Sequence, residues 1–206
     1  MINITNEDNM ELMARYEDNH FDLAIVDPPY GIGASEMTMG AGKKKWDKGK
    51  EWDNEAPTEE YFKELFRVSK KQIIWGGNYF TLPIQRGWIF WDKDIREGLS
   101  FSDGELAWTS FDRVLKRCFI PYSGFRGADN GGKIHPTQKP VKLYEWLLMN
   151  YAKDGDKILD THLGSGSIAL ACHNLNFDLT ACELDAEYFN AAIKRLKEHQ
   201  QQLTMF

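Results

Sequence analysis

Leu23-Ala24-Ile25-Val26-Asp27-Pro28-Pro29-Tyr30-Gly31 is the stretch on which the fold turns. Four consecutive apolar residues read as a short buried strand. The run stops abruptly at a carboxylate, two stiff prolines and an aromatic ring. Ligands of open α/β sheets bind at the carboxyl edge of such strands. Each proline fixes φ and removes an N–H donor, so the turn is rigid and its carbonyls are free to accept. An acceptor carboxylate, an acceptor carbonyl and a stacking ring together suit an exocyclic amino group on a planar base. The same residues also read as a proline-rich turn with an N-terminal Asp, so the rest of the chain has to decide.

Working outward, strand and helix patterns alternate. Ile2–Thr5, Gln72–Trp75, Gly87–Trp91, Glu105–Phe111, Lys157–Asp160 and Phe177–Cys182 read as further strands. Glu105 and Thr109 make their strand polar, which suits an edge or antiparallel position. Helices are expected after Asn6-Glu7-Asp8-Asn9, over Thr58–Val68, from Pro140 through Tyr151, over Ile168–Leu175 and after Asp185. Asp8 reads equally as an N-cap and as a strand-end acid able to meet a ligand.

Two stretches lack a period. Gly31–Pro57 carries Lys43, Lys44, Lys45, Lys48 and Lys50 around Trp46. Ser110–Ile134 sets Arg113, Lys116, Arg117, Arg126 and Lys133 among Phe111, Phe119, Tyr122 and Phe125. Long irregular segments in a compact domain are usually functional. Lysines beside glycines suit phosphates, and interleaved basic and aromatic residues suit phosphates and bases. Lys43, Lys44, Lys45, Lys48, Arg113 and Arg126 are therefore the candidate DNA contacts, although each run also reads as a solvated loop.

The 206 residues fit one domain, and the formal net charge of −6 argues against a sequence-independent nucleic-acid coat protein. It leaves room for a DNA enzyme with its basic residues on one face. No apolar run is long enough to cross a membrane, and Met1–Ile4 lacks the flank and core of a signal peptide. Cys118, Cys172 and Cys182 show no CxxC spacing. They read as reduced thiols of a cytoplasmic protein, with no metal site expected.

Lys157 to Glu183 forms a second unit: strand, glycine turn, helix, strand, acid. Gly164 and Gly166 allow a ligand to approach the backbone and open the next helix at its positive end. Glu183 suits ribose hydroxyls. Gly164-Ser165-Gly166-Ser167-Ile168-Ala169 fits the GxGxxA form of a dinucleotide fingerprint, which keeps a nucleotide-dependent dehydrogenase open. Asp160 disfavours a nearby phosphate and suits a cationic amino-acid moiety. That combination points to S-adenosylmethionine.

Asp27-Pro28-Pro29-Tyr30, His135-Pro136-Thr137-Gln138-Lys139-Pro140 and Ile158-Leu159-Asp160-Thr161-His162-Leu163-Gly164-Ser165-Gly166 resemble, in this order, the motifs of DNA adenine N6-methyltransferases of the permuted β group. The compact length resembles bacteriophage and prophage members, with a bacterial host cytoplasm as the setting. The resemblance implies a circularly permuted α/β methyltransferase (Rossmann-like) fold. Its sheet would be mostly parallel and seven-stranded, with one antiparallel strand. One catalytic domain would span 1–206, with insertions near 33–57 and 110–134 and a flexible tail at 200–206.

The implied reaction moves a methyl group from S-adenosylmethionine to N6 of an adenine flipped out of double-stranded DNA. Asp27, Pro28, Pro29 and Tyr30 would be catalytic, Tyr30 stacking on the base. Asp8, Asp27, His135, Thr137, Lys139, Asp160, His162, Gly164, Ser165, Gly166 and Glu183 would form the cofactor site. Thr161-His162 stands where Pro-Phe is usual, and His162 would substitute as the aromatic cover. Gln202, Leu203, Met205 and Phe206 resemble the short peptide that docks into a bacterial sliding clamp. N4-cytosine methylation and a non-catalytic DNA- or clamp-binding module stay open. So do the oligomeric state, a homodimer included, and pairing with a restriction nuclease.

Overall fold

The computed structural model describes residues 1–33, 53, 55–95, 102–122, 134–135 and 137–203. Its strands are β1 (Ile2–Thr5), β2 (Leu23–Val26), β3 (Gln72–Trp75), β4 (Trp88–Asp92), β5 (Gly104–Thr109), β6 (Lys116–Phe119), β7 (Lys157–Asp160) and β8 (Asp178–Cys182). Its helices are α1 (Asn9–Ala14), α2 (Glu59–Val68), α3 (Val141–Tyr151), α4 (Ser167–Leu175) and α5 (Ala186–Leu203).

The strands form one sheet in the order β1-β8-β7-β2-β3-β5-β4-β6. β5 runs antiparallel to both of its neighbours, β3 and β4, and every other pair is parallel. The mostly parallel α/β sheet with one antiparallel strand is thus as expected. It has an eighth strand, β6, inside the stretch read as an irregular insertion. Lys116, Arg117 and Phe119 are exposed and Cys118 alone is buried, so this edge strand carries almost no apolar pattern. Packing against β4 forms it, not periodicity.

Alternation across the pleat divides the core. Leu23, Ile25, Ile73, Trp75, Ile158 and Leu179 face α3, α4 and α5. Ala24, Val26, Ile74 and Leu159 face α1 and α2, where Leu12, Met13, Tyr61, Phe62 and Leu65 close the other layer. β2 and β3 are buried along their full lengths because helices cover both faces.

The helix starts follow local chemistry. Asp8 Oδ1 accepts from Met10 N at 2.7 Å, Thr58 Oγ1 from Tyr61 N at 3.4 Å, and Asp185 Oδ1 from Glu187 N at 2.8 Å. Pro140 precedes α3 in extended conformation, φ −71° and ψ 149°. α5 continues to Leu203, so the tail expected from residue 200 is helical for its first four positions. Met205 and Phe206, half of the clamp-peptide reading, lie outside the described residues. Among the described residues, no helix is long and apolar enough to cross a membrane.

Register places the site. β2 and β7 run in parallel, with Leu23 opposite Ile158 and Ala24 opposite Leu159. Asp27 and Asp160 therefore leave adjacent strands at the same edge. Glu183, just after β8, joins them there. β5 runs the other way, so its first residues, Gly104 and Glu105, reach that same edge. Lys93, just after β4, does so as well.

Candidate active site

Two groups of side chains meet along this carboxyl edge. One surrounds Asp27. The Tyr30 hydroxyl donates to Asp27 Oδ1 at 2.8 Å, and Lys139 Nζ donates to Asp27 Oδ2. Lys139 also lies 3.0 Å from Glu105 Oε2 with its side chain only 3 % exposed. Glu105 Oε1 in turn pairs with Lys93. Charges therefore alternate along Lys93, Glu105, Lys139 and Asp27, which offsets the cost of burying each one.

Those contacts set the protonation states. Burial pushes the Glu105 carboxyl up, but Lys139 and Lys93 outweigh it and hold it down at about 2. Burial pushes the Lys139 ammonium down, but Asp27 and Glu105 together keep it above the ordinary lysine value. Burial raises Asp27 above the usual carboxylate range, and the nearby Glu105 charge adds to this, while Lys139 opposes it. Asp27 is the carboxylate of the pair that takes up a proton more readily, because it shares one cation where Glu105 has two.

Asp53 secures the turn that carries Tyr30. Its Oδ1 accepts from Tyr30 N at 2.6 Å and from Gly31 N at 3.2 Å. The Tyr30 ring stacks on Tyr79, with centroids 5.0 Å apart and planes 14° apart. Gly76, at φ +66°, lies so close beneath the ring that a Cβ there would fall inside it. Tyr79 thus covers one face of the ring expected to stack on a base, and the Tyr30 hydroxyl is tied to Asp27. Tyr79 itself is 49 % exposed.

The second group surrounds the glycine turn. Gly164 and Gly166 adopt φ +52° and +73°, which glycine tolerates best. Gly166 opens α4, and its Cα faces Ala192 closely. Gly164 N donates to Glu183 Oε2 at 2.8 Å, and Asp185 N donates to Glu183 Oε1 at 2.9 Å. The His135 ring lies about 3.8 Å from where a Gly164 Cβ would stand, and packs edge-on against Tyr188 at 4.4 Å. Thr137 Oγ1 is 3.1 Å from His135 Nδ1. The histidine–proline segment is thereby brought onto the turn, although His135 precedes Gly164 by 29 residues.

Asp160 is 2 % exposed, and burial pushes its carboxyl up to about 8. Asp27 and Glu183 contribute to that rise, which shows how near the two groups stand. His162 N donates to Asp160 Oδ1 at 3.0 Å. Burial holds the His162 ring down at about 4, so it is neutral near pH 7. Its Nδ1 is 2.9 Å from Thr161 Oγ1, its Nε2 is 3.1 Å from Asn9 Nδ2, and its ring packs edge-on against Tyr61. Asp8 caps α1 close by. Ser165 Oγ meets Ser167 Oγ at 3.1 Å.

Other expected positions fall elsewhere. Lys139 reads from sequence either as a contact to the methionine end of a cofactor or as a lysine paired with an acid, and its ammonium sits on Asp27 and Glu105. Arg113 follows β5 at the opposite edge of the sheet, because β5 is antiparallel. There its Nη1 donates to Asn150 O at 2.9 Å, and it lies over Phe111 and Tyr151. It does not join the site. Lys43, Lys44, Lys45, Lys48 and Arg126 lie outside the described residues. A surface cavity of about 460 Å³ is lined by Met1, Cys172, Phe177 and Leu196, among others, and includes none of these site residues. Sequence reading missed Lys93, Glu105, Asp53 and Tyr79. Glu105 alone gave a signal, as a charge inside a strand.

The comparisons with known proteins agree with this arrangement. A family model described as DNA methylase, of the N6/N4 type, matches residues 91–194. The type II methyltransferase M.HpaI of Haemophilus parainfluenzae is 26% identical over 230 residues, covering 91% of this chain and 71% of that one. The type II methyltransferase M2.DpnII of Streptococcus pneumoniae is 23% identical, covering 94% and 89%. Among solved structures, the M1.HpyAVI–SAM complex has a TM-score of 0.65 at 20% identity, covering 95% of this chain and 99% of that one. The cytosine-N4-specific PvuII DNA methyltransferase has a TM-score of 0.60 at 12% identity, covering 98% and 92%. With its α/β sheet, its strand-end Asp27 and its glycine turn in one place, the chain belongs to the N6/N4 DNA methylase family.

Proposed function

We propose that this DNA methyltransferase uses S-adenosylmethionine to methylate the exocyclic N6 of adenine in double-stranded DNA. The observation that carries the reading is the placement of Asp27 and the Asp160–Gly166 turn at the same edge of neighbouring strands β2 and β7. The residues around that turn fit the cofactor chemically. Asp160 suits its ammonium, Glu183 its ribose hydroxyls, and the glycine backbone a close approach beside His135. Asp8, Thr137, His162 and Ser165 border the same region. When bound, the cofactor supplies a methyl carbon made electrophilic by a sulfonium.

The chain's own residues do the rest. Pro28 and Asp27 supply acceptors for the hydrogens of the target amine, which orients its lone pair. The raised Asp27 carboxyl is suited to receive the proton that the nitrogen sheds after transfer. Tyr30, backed by Tyr79, and the stiff Pro28-Pro29 turn keep the acceptor in place. A base must leave the duplex to reach a carboxylate recessed in this way, at a cost of about a few kcal/mol. The chain order, with Asp27 ahead of the glycine turn, supports the permuted arrangement.

Asp27, in a position where Ser is commoner among cytosine enzymes, favours adenine. The family model spans both chemistries, and the fold is shared with a cytosine-N4 enzyme, so N4-cytosine is the second reading. Incubating the protein with labelled S-adenosylmethionine and unmethylated genomic DNA, then digesting to nucleosides, separates them. Labelled N6-methyladenine is expected. Label only in N4-methylcytosine overturns the base assignment, and no label in DNA overturns the activity.

A further inference from the structure

We propose that Lys139 is an exchangeable counter-ion that positions Asp27, moving onto Glu105 when a substrate amino group enters. The inference rests on the methyltransferase reading above and deepens it by assigning roles to two residues outside the Asp27–Tyr30 quartet.

Both Asp27 oxygens are engaged. Tyr30 donates to Oδ1 and Lys139 to Oδ2. An amine N–H seeking this carboxylate has to approach an oxygen already bonded to the ammonium or to the Tyr30 hydroxyl. The two also conflict electrostatically, since the nitrogen gains positive charge as it takes the methyl group and an ammonium beside it would oppose that. That repulsion drives Lys139 to withdraw, and a buried ammonium withdraws at least cost to another partner.

Glu105 provides that partner. Its Oε2 lies 3.0 Å from Lys139 Nζ. That oxygen is buried, so the ammonium already lies between the two carboxylates. Its Oε1 is fixed by Lys93, so Glu105 stays in place while Lys139 turns towards it. The Trp75 ring, 5.2 Å from Nζ, and the Tyr30 ring, 5.9 Å away, line the path with π-faces that stabilise a cation. Pro140 limits the backbone just after Lys139, so the motion is confined to the side chain. The charged and titratable groups around the Asp27–Lys139 pair are Tyr30 from the following turn, Glu105 from β5, Tyr144 from α3 and Asp160 from β7, with Lys93 beyond β4 acting on Glu105.

The two halves of the exchange give opposite signatures. Lys139→Met leaves Asp27 without its cation beside Glu105 and Asp160. The acid limb of the kcat–pH profile on unmethylated genomic DNA then moves to higher pH, by about one unit or more. Lys139→Arg keeps the charge and returns the limb towards the unaltered position. Glu105→Gln removes both the receiving charge and a like charge near Asp27. The limb moves to lower pH while kcat falls about tenfold or more, because the ammonium stays on Asp27.

A ¹³C-carboxyl NMR titration of Asp27, on the protein alone, is expected to move up in Lys139→Met and down in Glu105→Gln. Should Lys139→Met fail to fold, Glu105→Gln with both readouts decides. Acid limbs that stay put or move together, with normal methylation by the unaltered chain, overturn the exchange and leave the function standing. Absence of DNA methylation by the unaltered chain overturns the function, and the exchange with it.

Discussion

Gly164 N donates a 2.8 Å hydrogen bond to Glu183 Oε2, so the glycine turn and the acid at the end of the next strand are one unit. Asp185 N holds the other oxygen at 2.9 Å. Glu183 is thus both a ribose acceptor and the clip that shapes the turn. Glu183→Ala should weaken S-adenosylmethionine binding about tenfold or more and lower stability by about 1–3 kcal/mol, since two backbone N–H groups lose their partner. Isothermal titration and urea unfolding measure the two. Unchanged affinity would remove Glu183 from the cofactor site.

Asp160 is expected to make the protein less stable as pH rises. Its folded value, about 8, stands above the ordinary 3.8 because burial disfavours the charged form. A carboxyl raised in this way contributes its stability in full below about 4 and loses it progressively as pH rises to about 8. Asp160→Asn should therefore be the more stable protein near pH 8, by on the order of a few kcal/mol, with the gap closing towards pH 4. The same variant should lose cofactor affinity. Urea unfolding from pH 4 to 9 tests the sign, and a gap that widens at low pH would contradict it.

Gly76 carries the Tyr30 ring almost on its Cα at φ +66°. Gly76→Ala combines an unfavourable left-handed alanine with a clash against that ring. A destabilisation of about 2–3 kcal/mol is expected, with turnover falling further than stability because Tyr30 must shift off Asp27. Unfolding and methyl-transfer rates on one preparation provide the check. An effect under 1 kcal/mol would mean that the turn adjusts freely.

Asp27→Ala should lower methyl transfer by about a thousandfold or more, in line with the loss of an oriented acceptor, while cofactor affinity changes only a few-fold. It also strands the Lys139 ammonium on Glu105 alone, so some loss of stability is expected. Single-turnover kinetics with cofactor titration separates the two effects. Near-normal turnover would remove Asp27 from the chemistry.

Local sequence fixed a good part of this in advance. Leu23–Val26 reads as a buried strand, because four apolar residues stopped by two prolines suit a strand in length better than a helix. Asp27 was therefore legible as a strand-end acid, and Gly164, Gly166 and Glu183 were legible from a strand, turn, helix, strand order. Asp8 was read with both a capping and a ligand role, and its cap is visible in the structure. β6 was not legible, since Cys118 is the one buried residue in it.

The chain by itself determined which segments become strands and where their polar ends fall, because periodicity and proline are local properties. Tertiary structure alone decided who stands beside Asp27. Glu105 reaches it because β5 pairs antiparallel, which turns the start of that strand towards the carboxyl edge and carries Arg113 to the far one. Lys139 reaches it across 112 residues. A charge buried among other charges is chosen by its neighbours in space, and their sequence separation gives no sign of it.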